Sequence, residues 1–252
     1  MSRLGVVVPA FRPDPARLEA YLQDIVEELS PATVRVEFDD PDPETLESIT
    51  AASLPGVVVN AVPYRRGKGA AITAGFEALE TDRLAFADAD GSTPASELAR
   101  IVDGLDDADV AAGSRRHPGS HVVGHQTLAR RLLGDGFAWF ARRLLEAQLY
   151  DYQCGAKAIT ADAWERVRTH IYEPGFAWDV ELLAMAAALD LEIAEVPIRW
   201  EDKPGSTVSP VRTSLSMGKA LFVARHRAKR LQDSRLHDAL AREDDIALVD
   251  RE

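Results

Sequence analysis

Leu84-Ala85-Phe86-Ala87-Asp88-Ala89-Asp90-Gly91 joins an uninterrupted apolar run to two carboxylates one residue apart. An apolar run of this length, without polar alternation, is the signature of a strand covered on both faces of a parallel sheet. Reading outward, Leu4–Val8 is a similar run closed by Pro9, Val34–Phe38 ends in Asp39-Asp40, and Val57–Val59 and Asp109–Ala112 complete a set of five. Helical spacing fills the gaps, over 14–29, 43–52, 67–79 and 94–105. Strand and helix alternation of this kind predicts an α/β chain, a mostly parallel, twisted, Rossmann-like sheet with helices on both faces. Ligands of such sheets bind beyond the carboxyl ends of the strands. The polar clusters Asp39-Asp40, Asp88-Ala89-Asp90 and Ser114-Arg115-Arg116 fall there.

Two carboxylates at a strand end can share a hard divalent cation if the backbone turns, and Gly91 and Pro94 favour a turn. Asp88 and Asp90 are therefore the candidate ligands for Mg²⁺ or Mn²⁺; capping of the following helix is the plainer alternative. Asp40-Pro41-Asp42 and Asp107-Ala108-Asp109 repeat the pattern, but neither follows a buried strand. Gly67-Lys68-Gly69 opens a helix, whose free N–H groups and dipole favour anions. It lacks the spacing of a P-loop. Arg65, Arg66 and Lys68 are candidates to meet a base or a phosphate, and a plain basic loop is the alternative.

The second half is less regular. Residues 126–150 read as a long amphipathic helix or a helix pair broken near Gly134-Asp135-Gly136. A helix over 178–188, a strand over 192–198 and a helix over 214–231 follow, and 233–252 reads as a solvated helix and tail. This divides the chain into a catalytic domain over 1–212 and a C-terminal amphipathic helix with a charged tail over 213–252. Lys219, Arg225, Arg227, Lys229 and Arg230 interleave with Leu215, Met217, Leu221, Phe222 and Val223. Such a helix can lie on an anionic membrane or pack its apolar side on the domain.

A net charge of −12 argues against nucleic acid as a partner. Five lysines among 29 basic residues, in an acidic chain, point to a salt-adapted source such as a halophilic archaeon. Cys154 is the only cysteine, which fits a reducing, cytoplasmic setting. The apolar run at the N-terminus is too short for a signal peptide, and no stretch has the length of a membrane span, so the expected location is cytoplasmic or peripheral on the cytoplasmic membrane face.

Val7-Val8-Pro9-Ala10-Phe11, Asp39-Asp40, Gly67-Lys68-Gly69, Asp88-Ala89-Asp90-Gly91 and Gly113-Ser114-Arg115 occur in this order. The set resembles inverting nucleotide-sugar glycosyltransferases of the glycosyltransferase-A type, the large family that contains the dolichyl-phosphate sugar synthases. Gln153-Cys154-Gly155-Ala156-Lys157, Trp178-Asp179-Val180-Glu181-Leu182 and Val196-Pro197-Ile198-x-Trp200 are similar to the dolichyl-phosphate glucosyltransferases and mannosyltransferases. The resemblance implies a metal-dependent inverting transfer of glucose or mannose from a UDP- or GDP-sugar to a polyprenyl or dolichyl phosphate. It also implies roles. Pro9, Ala10, Asp39 or Asp40, Lys68 and Asp88 would hold the nucleotide, and Asp88 and Asp90 the metal. Arg115 with Arg130 or Arg131 would clamp the acceptor phosphate. Gln153, Trp178 and Asp179 would line the sugar pocket, Trp178 fitting a core position equally well, with Asp90, Arg115 and Asp179 nearest the chemistry. A lipid phosphate is already an anion and needs no general base. Two departures stand out: Asp39-Asp40-Pro41-Asp42 replaces the usual Asp-Asp-Gly-Ser, and the C-terminal membrane spans of many members are not seen. Competing readings are a transferase with a small hydroxylated acceptor, for which Asp179 would be the base, a sugar-1-phosphate nucleotidyltransferase, whose Gly-rich N-terminal loop is lacking, and a non-catalytic nucleotide-sugar-binding module.

Overall fold

A computed structural model describes residues 2–123, 128–201, 203, 210–232 and 246–251. The first nine elements follow the sequence reading within a few residues: β1 (Leu4–Ala10), α1 (Pro15–Leu29), β2 (Thr33–Asp39), α2 (Pro43–Ala51), β3 (Val57–Val62), α3 (Lys68–Glu77), β4 (Arg83–Ala87), α4 (Ala95–Asp103) and β5 (Val110–Ser114). Local chemistry sets several boundaries. Asp14 and Asp42 cap α1 and α2 by accepting from Arg17 N and Thr45 N, with proline in the first turn, where its missing N–H costs nothing. Asp42 thus has a structural task in the look-alike triplet 40–42.

Among the described residues the remaining strands and α-helices are β6 (His121–Val123), α5 (Leu128–Leu144), β7 (Ala156–Thr160), α6 (Ala161–Val167), α7 (Trp178–Ala188), β8 (Ile193–Pro197), β9 (Arg199–Glu201) and α8 (Pro210–Leu231). Seven strands form one sheet in the order β3-β2-β1-β4-β7-β5-β8, and β6 pairs with β9 beside it. All pairs in the large sheet are parallel except those of β7, which runs antiparallel between β4 and β5. The sequence reading assigned no strand to β7, because Lys157 interrupts its apolar run. β6, β9 and α6 were also unassigned.

Alternate side chains of each strand enter opposite cores. Val6 and Val8 join Leu22 of α1 and Ile101 of α4 on one face, while Val7 and Phe86 join Ile72 of α3 and Trp178 of α7 on the other. One sequence expectation is corrected here. Helix α5 runs unbroken through Gly134-Asp135-Gly136, since glycine costs a helix interior only about 1 kcal/mol per residue. A Cβ at Gly134 would overlap the Arg116 guanidinium, so this glycine makes room for that side chain. Met217, Leu221 and Ala224 of α8 are buried in the same core as Trp178, and Leu248 returns to it, donating its N–H to Ile171 O at 2.7 Å.

Candidate functional site

Beyond the carboxyl ends of β1, β2 and β4 lies a cleft of about 560 Å³. Pro9 and Ala10 from β1, Asp39 from β2, Lys68 at the start of α3, and Asp88 and Asp90 after β4 all face it. The sheet thus gathers six residues that the sequence distributes over more than eighty positions.

Asp88 and Asp90 sit on a tight turn. Gly91 has φ of 65°, a conformation glycine adopts without a Cβ penalty, and a Cβ there would meet the Tyr21 ring at 3.4 Å. Tyr21 in turn donates its hydroxyl to Thr93 O at 2.7 Å, fixing the far side of the turn. Asp90 Oδ1 accepts from Ser92 N at 2.9 Å. Asp88 N donates to Gly155 O at 2.9 Å, and a Cβ at position 155 would overlap the Asp88 carboxylate. The glycine of Gln153-Cys154-Gly155 is therefore a spacing device for Asp88.

Behind the turn lies a chain of opposite charges. Lys68 Nζ bridges Asp88 Oδ1 at 2.9 Å and Asp179 Oδ2 at 3.0 Å. Asp179 Oδ1 accepts from Lys157 Nζ at 2.7 Å, and Lys157 also donates to Cys154 O. Burial alone would favour neutral lysine, but the carboxylates of Asp179 and Asp88 hold the Lys68 ammonium above its ordinary value. Burial likewise opposes ionisation of Asp179, and Lys157 and Lys68 reverse this and keep its carboxyl below the usual range. Asp88 is shifted upward: burial and the carboxylates of Asp90 and Asp179 outweigh Lys68. A carboxylate disfavoured by burial and by the acids beside it, as Asp88 is, is suited to a cation. Two oxygen ligands match a hard ion that keeps waters and takes diphosphate oxygens for its remaining positions. Among the described residues no group of three or more His, Cys, Asp or Glu offers a complete protein cage.

Several residues named from sequence are placed differently. Asp179 is 2% exposed and both its oxygens are held by lysines, so it neither lines the cleft nor serves as an accessible base. Trp178 is fully buried against Phe76, Phe86 and Trp164 and donates to Thr73 Oγ1; it belongs to the core, not to a sugar pocket. Asp39 faces the cleft, but its oxygens accept from Arg66 Nε and Gly67 N, both at 2.8 Å, so it primarily fixes the Gly67 loop. Asp40, at φ of 45°, turns outward to Arg12. Arg66 is taken by Glu37 and Asp39, whereas Arg65 lines the cleft and stacks 4.1 Å from the Phe11 ring centroid.

Arg115 follows β5 and is bidentate to buried Asp151, through Nε at 2.7 Å and Nη2 at 3.0 Å, leaving Nη1 for any other anion. Gln153 is half-buried, its N–H given to Asp151. Arg130 and Arg131 lie on α5 with side chains outside the described residues. On α8, Arg225 donates to Leu144 O, Arg227 pairs with Glu181, and Lys229 pairs with Glu146, so these three basic groups have partners within the domain. Among the described residues no helix is long and apolar enough to cross a membrane.

Phe11, Arg12, Arg17, Phe176 and Lys203 also line the cleft, and except for Phe11, quoted within a motif, sequence reasoning passed over them. Phe176 had one signal: an aromatic side chain just after Pro174-Gly175. Glu181 Oε2 accepts from Tyr172 N and Glu173 N, and Pro174 O accepts from Ala70 N, so this loop is tied to both α7 and α3.

A profile of the family described as "Glycosyl transferase family 2" matches residues 5–159. The dolichyl-phosphate beta-glucosyltransferase of Homo sapiens is 33% identical over 181 residues, covering 68% of this chain and 56% of that protein. The undecaprenyl-phosphate mannosyltransferase of Micrococcus luteus is 32% identical over 157 residues, covering 61% and 64%. Among solved structures, glucosyl-3-phosphoglycerate synthase from Mycobacterium tuberculosis, crystallised with Mn²⁺, UDP and phosphoglyceric acid, superposes with a TM-score of 0.63. It is 18% identical, with coverage of 89% of this chain and 78% of that one, a likeness of fold alone. The chain spans about half the length of several of the curated relatives it matches.

Proposed function

The chain belongs to glycosyl transferase family 2, and from that premise we propose that it moves a hexose from a UDP- or GDP-sugar to a polyprenyl phosphate of the dolichyl type. The observation that carries the proposal is the convergence of Asp88, Asp90 and Lys68 at the floor of one open cleft, the chemistry needed to hold a diphosphate. Pro9, Ala10, Phe11 and Arg65 form the wall suited to a nucleoside. Asp88 and Asp90 would hold Mg²⁺ or Mn²⁺, which when bound stabilises charge on the departing diphosphate. Lys68, opening α3, adds its own charge and the N-terminal end of that helix to the same anion.

The acceptor's phosphate oxygen attacks the anomeric carbon as the bond to the diphosphate breaks. No proton has to move, since a phosphate monoester is already ionised at neutral pH. This accords with the state of Asp179, sealed between two lysines where a base would have been sought. Arg115, braced by Asp151, is the group proposed to turn Nη1 toward the acceptor phosphate.

Incubation with radiolabelled UDP-glucose or GDP-mannose and polyprenyl phosphate, followed by solvent extraction, tests the reading. Label is expected in the organic phase, and to vanish with EDTA. Label transferred only to water-soluble acceptors would contradict the lipid acceptor.

A further inference from the structure

The cleft holds a conflict between two cations. Asp88 is the carboxylate proposed for the metal, yet its Oδ1 is ion-paired with Lys68 Nζ at 2.9 Å. The carboxylate has little freedom to turn away, because its backbone N–H is bonded to Gly155 O and its Oδ2 edge lies against Gly155 Cα. An ammonium and a divalent ion in contact with the same oxygen would repel each other strongly. Lys68, however, has a second anchor. Asp179 Oδ2 lies 3.0 Å away, and Asp179 is itself fixed by buried Lys157, which is bonded to Cys154 O.

We propose that Lys68 is a resident counter-cation of the metal site. It neutralises Asp88 while the donor is absent, then pivots about Asp179 onto the donor's diphosphate when the metal takes Asp88. The inference rests on the reading of Asp88 and Asp90 as metal ligands. Asp179 and Lys157 are positioning residues in this account: they keep the displaced ammonium at the edge of the cleft, where the diphosphate meets it. Metal and diphosphate then bind with positive coupling, because each removes an obstacle to the other. The metal frees Lys68 for the diphosphate, and the diphosphate provides the anion that compensates Lys68 for the loss of Asp88.

The test measures Mn²⁺ uptake by the full chain, from the electron paramagnetic resonance signal of the free ion, with and without UDP. Wild type, Lys68→Met and Lys68→Gln are compared; the glutamine can still donate to both carboxylates and guards against loss of the fold. Without UDP, the neutral variants should bind Mn²⁺ roughly tenfold more tightly than wild type, and the gain that UDP gives wild type should shrink in them. Unchanged or weaker nucleotide-free Mn²⁺ binding in the folded variants would overturn the proposal. Wild type that takes up no Mn²⁺ even with UDP would instead contradict the metal site itself, so the two failures are distinguishable.

Discussion

At Gly155 the structure asks for one residue type because of what stands opposite, the Asp88 carboxylate. Gly155→Ala should therefore shift Asp88 while leaving the fold cooperative. Its expected signature is a loss of metal-dependent UDP binding of at least tenfold with little change in melting temperature; an equal loss of both would assign the glycine to folding. Cys154, next in the chain and fully buried, has its thiol pushed up to about 11 by burial. A thiol reagent at pH 8 should react with it only after denaturant is added, and prompt labelling of the native protein would contradict the packing. The place of Asp88 and Asp90 at the cleft was legible in sequence because a buried strand precedes them. The setting of Asp179 was not legible for a physical reason: acids in a helix's first turn look alike in sequence, and only the fold brings Lys68 and Lys157 to either side of one.

Among the elements, the first five strands and their helices could be read because each is apolar with a single period. β7 could not. Its central Lys157 breaks the pattern, and the partner that permits a buried ammonium lies on α7, 22 residues away. Helix α8 illustrates the same limit, since the acidic partners of Arg227 and Lys229, Glu181 and Glu146, lie far away in sequence. Breaking a buried pair costs about 3 kcal/mol or more, and the Arg115–Asp151 contact joining β5 to the segment before β7 is the clearest case. Arg115 holds the buried Asp151 carboxyl well below its usual range, overcoming burial, so its folded-state pKa is depressed relative to the unfolded chain. Stability from this pair is then present above about pH 4, where the unfolded carboxylate ionises, and is lost as pH falls through the folded value. Urea melts of Asp151→Asn and wild type should differ by a few kcal/mol at pH 7, and the gap should narrow progressively as pH falls below about 4. A gap independent of pH would contradict the ionic account.

For the whole molecule, 41 acidic against 29 basic residues leave a net charge of −12 that self-repulsion turns into a cost of compactness. The melting temperature should rise steadily from 0.1 to 2 M KCl, and a flat profile would remove the reading of a salt-adapted surface. Fold class and the location of the cleft followed from the alternation of strands and helices, while the cleft's aromatic wall did not, because Phe11 and Phe176 are brought together only by the sheet's crossovers. The account as a whole turns on Asp88 and Asp90 holding the metal that binds the donor's diphosphate. Calorimetric titration of UDP into wild type and into Asp88→Asn/Asp90→Asn, each with Mn²⁺ and with EDTA, tests this directly. Wild type should bind UDP at least tenfold more tightly with Mn²⁺, and the double variant should bind it equally weakly in both; an Mn²⁺ enhancement that survives in the folded double variant would contradict it.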